Sequence, residues 1–228
     1  MHQRKHLCKQ QAKGAEILQA VIDYFQTYGS DYLMYLAEHL TVSFLAVAVA
    51  MLIALPLGAI SARFKIFGSI SAGFWQTLRI IPSLAILVLL IPFMGTGIKP
   101  AVTALTILAI PPILMNTITG FRNVPADVIE AAQGMGMPAG QLFWSIKVPL
   151  AMPSIFTGIQ TAAVEVIASA TLASYIGAGG LGTIIFTGLG LLRQDLLWIG
   201  GLSVAALSLG TGWLLSLAEK RIRRHERT

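Results

Sequence analysis

Charge is what this chain of 228 residues has least of. Only 11% of its residues are charged and 55% are hydrophobic, whereas a soluble domain carries about 25% charged residues. The few charges are segregated: eight precede residue 39, seven follow residue 218, and eleven are spread over the stretch between. Such a sequence cannot clothe a water-facing surface and fits a polytopic, all-α membrane protein. Cysteine is nearly absent. Cys8 stands alone in a polar tail, so no internal disulfide is possible and no role is assigned to it. No lysine follows a glycine, which excludes a Walker-type phosphate loop and with it ATP hydrolysis by this chain. The first 15 residues lack an apolar run followed by a cleavage site, so no cleaved signal peptide is expected. The formal charge of +6 sits at the termini and in short breaks between apolar runs. Membrane topology accounts for it, and nucleic acid is not an expected partner.

Apolar runs are what the sequence has in abundance. Five segments approach the roughly 20 apolar residues that a bilayer-crossing helix needs: Thr41–Ile60, Ile70–Met94, Ala101–Gly120, Pro149–Ile176 and Leu196–Ala218. The second contains Arg79 and Pro82, the fourth Glu165, and the fifth has no charge. Before them, residues 15–38 place Ile17, Val21, Tyr24 and Phe25 at helical spacing among acids and tyrosines, which predicts an amphipathic helix lying at a membrane surface, with a sixth span as the alternative. With the carboxy terminus in the cytoplasm, inside segments hold Arg63, Lys65, Arg122, Lys147, Lys220, Arg221, Arg223, Arg224 and Arg227, and outside connections only Lys99 and Arg193. That nine-to-two imbalance predicts amino terminus out, carboxy terminus in. The predicted organisation is a polar tail and external amphipathic segment over 1–38, a membrane domain over 39–218 with a cytoplasmic loop at 122–148, and a basic tail over 219–228.

That loop breaks the apolar pattern for some 25 residues. Pro125, Asp127 and Glu130 suit a helix start, where acids are favoured. Gly134, Gly136, Pro138 and Gly140 then bend or end the helix, and Leu142, Phe143, Trp144 and Ile146 form a compact apolar group. Pro149 is tolerated in the first turn of the next span. Two readings are open on these residues alone: a loop whose aromatics rest on lipid, or apolar knobs and a carboxylate that insert into a groove of a soluble partner.

Glu130, Ala131 and Ala132, then after three residues Gly136, after nine more Ile146, and after two more Pro149, reproduce the docking signature of ABC importer permeases. The chain resembles that family over residues 38–218. Within it, IPSLAILVLLIPFMGTGIKPAV (81–102), PPILMNTITGFRNVP (111–125) and ATLASYIGAGGLG (170–182) are similar to permeases for osmoprotectants such as glycine betaine, carnitine and choline. Arg79 and Met115 depart from the pattern usual in such permeases. The resemblance implies a five-span type I permease core with a cytoplasmic coupling-helix loop, in the bacterial inner membrane. It implies two permease subunits, identical or paired, separate ATP-binding subunits that hold ATP and Mg2+, and an external substrate-binding protein. The coupling residues it implies are Glu130, Ala131, Ala132, Gly136, Leu142, Phe143, Ile146 and Pro149. A permease for methionine or another small solute is the alternative within the class. A secondary transporter would need its own coupling-ion site and fits poorly.

Other candidates lie within the spans. Arg79 and Glu165 are ionisable groups in apolar runs; Glu165 either lines a path, pairs structurally or sits near an interface, and Arg79 either joins a path or snorkels from a span end. Neither is accompanied by a nucleophile, so no catalytic residue is assigned. Asn116 reads as a helix–helix hydrogen bonder or a path-lining group. Pro82 and Ser83 are path or gate candidates through the resemblance. No metal-ligand cluster is predicted. The run GAGGLG, Gly177–Gly182, matches G-x-G-x-x-G but trails a span and not a short strand; it reads as a close-packed turn or re-entrant bend, not a dinucleotide site. Aromatic cages bind quaternary ammonium groups, and the candidates inside spans are few: Phe74, Trp75, Phe93 and Tyr175.

Overall fold

In the computed structural model the backbone is described for residues 2–225 and the side chains for residues 19–220. The side chain of Cys8, most of the predicted amino-terminal tail and the end of the basic tail therefore lie outside the described residues. All regular structure is helical among the described residues: α1 (His2–Arg63), α2 (Lys65–Leu78), α3 (Ser83–Met94), α4 (Ile98–Arg122), α5 (Ala126–Gly134), α6 (Ala139–Leu142), a π-helical turn (Phe143–Lys147), α7 (Val148–Ala173), α8 (Gly182–Gly190) and α9 (Gln194–His225).

Four stretches are long and apolar enough to cross a bilayer: Gln19–Arg63, Ile98–Arg122, Ala139–Ile176 and Gln194–Lys220. They match four of the five expected spans. The remaining one differs. Residues 70–94 are not one helix; α2 and α3 meet at 91° across a short break, and count as a fifth span only if the bent pair is taken as one. The break falls at Arg79–Pro82, where Pro82 caps α3 in an extended conformation (ψ 134°). Pro56, Pro92, Pro111, Pro112 and Pro153 lie inside continuous helices, so proline alone does not decide where a helix stops.

The amphipathic segment before the first span is also not a separate surface helix. Residues 19–40 lead into the span as part of α1, which is kinked at the non-helical residue Tyr28 (φ −119°, ψ 22°). Tyr24 is buried in a cluster with Leu181, Ile184, Leu196 and Ile199, so partners far along the chain, not lipid, take up its apolar face. Gln19–Arg63 has 45 residues. At 1.5 Å per residue that is about 68 Å, twice the hydrocarbon thickness of a bilayer.

The core lies where α1, α4 and α7 cross. Val42, Ala46, Ala50 and Ala54 recur every fourth residue on α1 and are buried against α4. Ala162, Val166, Ala170 and Ala173 form a similar buried stripe on α7, at spacings of four, four and three. Small residues let backbones approach closely, which is how helices associate where no hydrophobic force separates protein from solvent. At Gly158 on α7 a Cβ would stand 2.8 Å from the Pro112 carbonyl of α4. Polar groups bridge the same seams: Thr106 donates to the Ala46 carbonyl at 3.3 Å, and Gln160 on α7 to the Gly212 carbonyl of α9 at 3.0 Å.

Candidate functional site

The segment between α4 and α7 is built from local rules. α5 starts after Pro125 with Asp127 in its first turn. It ends in a Schellman motif: the Gly136 N–H donates to the Gln133 carbonyl (2.9 Å) and the Met137 N–H to the Ala132 carbonyl (3.1 Å). This closure requires a left-handed residue, and Gly136 supplies it at φ +80°. The bend expected at Gly136 is thus a defined cap. Pro138 then caps α6, and the widened turn Phe143–Lys147 carries the chain into α7. That turn directly precedes Pro149, whose ring would crowd the Ser145 carbonyl in a regular helix.

The signature residues separate by exposure. Glu130, Ala131, Gly136 and Pro149 are exposed, Ile146 is half-buried, and Ala132 is buried. Leu142 differs from its expected place among outward knobs, being only 4% exposed. Phe143 is half-buried and stacks on Phe121 of α4, centroids 5.5 Å apart and planes 15° apart. Trp144 and Met135 stand outward most among the large apolar side chains of the segment, at 71% and 77% exposure. Phe143 therefore fastens the segment to α4, and a cavity of about 810 Å³ opens beside it, lined among others by Arg63, Phe64, Phe121 and Lys147.

The ionisable groups within the spans meet. Nη2 of Arg79, at the break after α2, donates to Oε1 of Glu165 on α7. Eighty-six positions apart in sequence, they join the bent pair to the central helix. The pair is half-open, with side chains 44% and 29% exposed, and Oε2 of Glu165 is buried with no partner among the described residues. Pro82 and Ser83 start α3 beside this pair in sequence, Pro82 exposed and Ser83 half-buried. The Asn116 amide makes no bond to another helix among the described residues: it donates back to the Pro112 carbonyl of its own helix at 2.9 Å. The bond that crosses from α7 to α4 uses its backbone instead, with the Ser154 hydroxyl donating to the Asn116 carbonyl at 2.9 Å.

At the other end of α7, GAGGLG is a close-packed turn. Gly177, Gly179 and Gly180 all have φ between +76° and +87°. The Gly180 N–H donates to Oε2 of Glu38 at 2.8 Å, and His39, buried beside it, hydrogen-bonds through Nε2 to the Ile167 carbonyl at 3.0 Å. Sequence reasoning assigned nothing to Glu38 and His39. The adjacent acid and histidine at the start of the first apolar run were the available signal.

Residues 54–224 match the family of binding-protein-dependent transport system inner membrane components. The chain belongs to this family. It is a multi-pass inner-membrane permease subunit of an ABC importer, a class that works with an ATPase subunit and a substrate-binding protein. The chain is 42% identical over 205 residues to the carnitine transport permease protein OpuCB of Listeria monocytogenes, covering 90% of this chain and 94% of that one. To the choline transport system permease protein OpuBB of Bacillus subtilis it is 38% identical over 202 residues, covering 89% and 93%. Among solved structures, the inward-facing MetNI methionine ABC transporter matches with a TM-score of 0.71 at 24% identity, covering 85% of this chain and 95% of that one. An amino acid ABC transporter with histidines matches with a TM-score of 0.70 at 21% identity, covering 86% and 96%. At those identities the structures establish the permease fold alone.

Proposed function

We propose that this permease carries a small quaternary-ammonium osmoprotectant such as glycine betaine, carnitine or choline inward from an external binding protein. The observation that carries the reading is 42% identity, over nearly the full length of both chains, to a permease named for carnitine. Permeases named for choline and for glycine betaine, carnitine and choline together stand at 38% and 37%. In this reading the bent α2–α3 pair is the fifth span, the amino terminus is outside and the carboxy terminus inside, which puts the Glu130–Pro149 segment in the cytoplasm against the ATPase. Trp144 and Met135 give it outward apolar surface, Glu130 a carboxylate, and Phe143 an attachment to α4. ATP-driven closure of two ATPases then moves the segment and, through α7, the Arg79–Glu165 pair beside Pro82 and Ser83. The second permease is an identical or paired copy.

The test is ATP-driven uptake into vesicles holding the permease with its ATPase and binding protein, with betaine, carnitine, choline and methionine in competition. The quaternary-ammonium solutes should be taken up and should compete with one another. Uptake of methionine that none of them inhibits would overturn the assignment.

A further inference from the structure

Tyr24, Tyr28, Asp31 and Tyr35 lie on either side of and at the kink in α1, which falls at Tyr28. All four line a cavity of about 290 Å³ whose opposite wall includes Thr183 and Thr187 of α8 and Arg193. The Tyr24 and Tyr28 rings are 5.5 Å apart. Tyr28 is 48% exposed, Asp31 is exposed, and Asp31 makes no ion pair among the described residues. Aromatic faces with a nearby carboxylate attract a cation that is too bulky and methylated to be hydrogen-bonded.

The far wall offers the opposite charge in a fixed place. Arg193 donates through Nε to Asp195 at 3.2 Å and through Nη2 to the same carboxylate, leaving Nη1 without a partner among the described residues. Hydrogen bonding to Asp195 raises the pKa of this guanidinium further, so it stays cationic. The turn that delivers it is strained. α8 closes with Leu192 at φ +56° and the Arg193 N–H donating to the Gly188 carbonyl at 2.9 Å, where glycine is the ordinary choice. Position matters too. Tyr35 precedes Arg63 by 28 residues of α1, about 42 Å of helix; in the proposed topology, with Arg63 inside, that places the cavity beyond a hydrocarbon core about 30 Å thick, at the end away from the proposed coupling segment.

We propose that this cavity binds a zwitterionic trimethylammonium carboxylate, its cation held by the Tyr24, Tyr28 and Tyr35 rings with Asp31 and its carboxylate by Arg193. It would give the permease a receiving site of its own at the outer mouth, separate from the Arg79–Glu165 region. The choice of solute rests on the proposed function.

The experiment is calorimetric titration of the full-length permease with its ATPase in lipid nanodiscs, without binding protein. The probes are glycine betaine and 3,3-dimethylbutyrate, which has the same shape without the positive charge. Betaine should bind saturably, and dimethylbutyrate at least about tenfold more weakly, the loss expected when cation–π and ion pairing are removed together. Tyr28→Leu combined with Tyr35→Leu should weaken betaine about tenfold, whereas Tyr28→Phe, which keeps the ring, should stay within about twofold. If the double variant does not fold, Tyr28→Phe and the comparison of the two probes on wild type still decide. No saturable betaine binding, equal binding of the two probes, or unchanged affinity in a folded double variant overturns the proposal. Normal betaine uptake alongside absent binding would remove this site and leave the function standing; absence of uptake for every quaternary ammonium would remove the function itself.

Discussion

The two glycine turns at opposite ends of α7 use the same residue for different reasons. At Gly136 the backbone is left-handed (φ +80°) and nothing lies within 4 Å of where a Cβ would be. At Gly179 the backbone is also left-handed (φ +76°), but a Cβ would stand 2.2 Å from the Glu38 carboxylate. One turn is open, with no neighbouring atom against it. The other is filled by the chain itself, its Gly180 N–H bound to Glu38 and its neighbour His39 buried. The Arg79–Glu165 pair is intermediate, half-exposed and with one carboxylate oxygen unmatched. A site that must meet a partner or change partners is left incomplete; one that only holds the fold together is closed.

The largest effect is expected at the closed turn. Gly179→Val adds a branched side chain in a left-handed conformation and forces the Glu38 carboxylate off the Gly180 N–H. Left-handed strain and overpacking together should cost about 2–5 kcal/mol. Thermal unfolding of the purified permease would read this, and a midpoint equal to wild type would mean the clasp to Glu38 contributes nothing.

Next comes the half-open pair. Arg79→Ala and Glu165→Ala should each destabilise, because each strands a charge against apolar surroundings. The double variant should cost less than the sum, by a coupling of about 1–3 kcal/mol. The exchange Arg79→Glu with Glu165→Arg should recover part of the loss. Strictly additive single effects would show that the two groups do not act on each other.

These differences trace the limits of what the sequence discloses. Four spans are legible because a run of about 20 apolar residues leaves a helix no other way to satisfy its backbone in lipid. The break at Arg79–Pro82 coincides with a charge and a proline in mid-run, yet five other prolines sit in similar runs without breaking them. At this break Arg79 is also tethered to Glu165, a contact 86 residues away that local sequence does not show. The run of α1 back through residues 19–40 was hidden for the same reason, since Tyr24 is buried by Leu181, Ile184 and neighbours on distant helices. The Glu130–Pro149 segment is the most legible part: its helix, bend and restart follow from Pro125, Gly136 and Pro149 within one local stretch. Even there the inward turn of Leu142 was not, because burial depends on where α1 and α4 end.

The smallest effect on stability, and the sharpest on function, is expected at the open turn. Gly136→Val must hold a branched residue at φ +80°, at about 1–2 kcal/mol, but it meets no neighbouring atom. The strain falls on α5, which is largely exposed and packs little against the spans, so the local cap opens without unfolding the membrane domain. The unfolding midpoint should therefore remain near wild type. Once the cap opens, Glu130 and Ala131 lose their fixed relation to Trp144, and a surface that docks as a rigid unit is lost. Recovery of the ATPase in a pull-down should fall, and solute-stimulated ATP hydrolysis should drop to its basal rate at equal membrane expression. Gly136→Asn separates the causes. Asparagine tolerates the left-handed region and occurs at this cap position, so it should retain most of the stimulation although it too adds a side chain. If valine and asparagine fail equally, bulk at the docking surface and not backbone geometry is what Gly136 avoids. If both couple normally, the segment is not the coupling element and the contrast between an open and a closed turn loses its functional meaning.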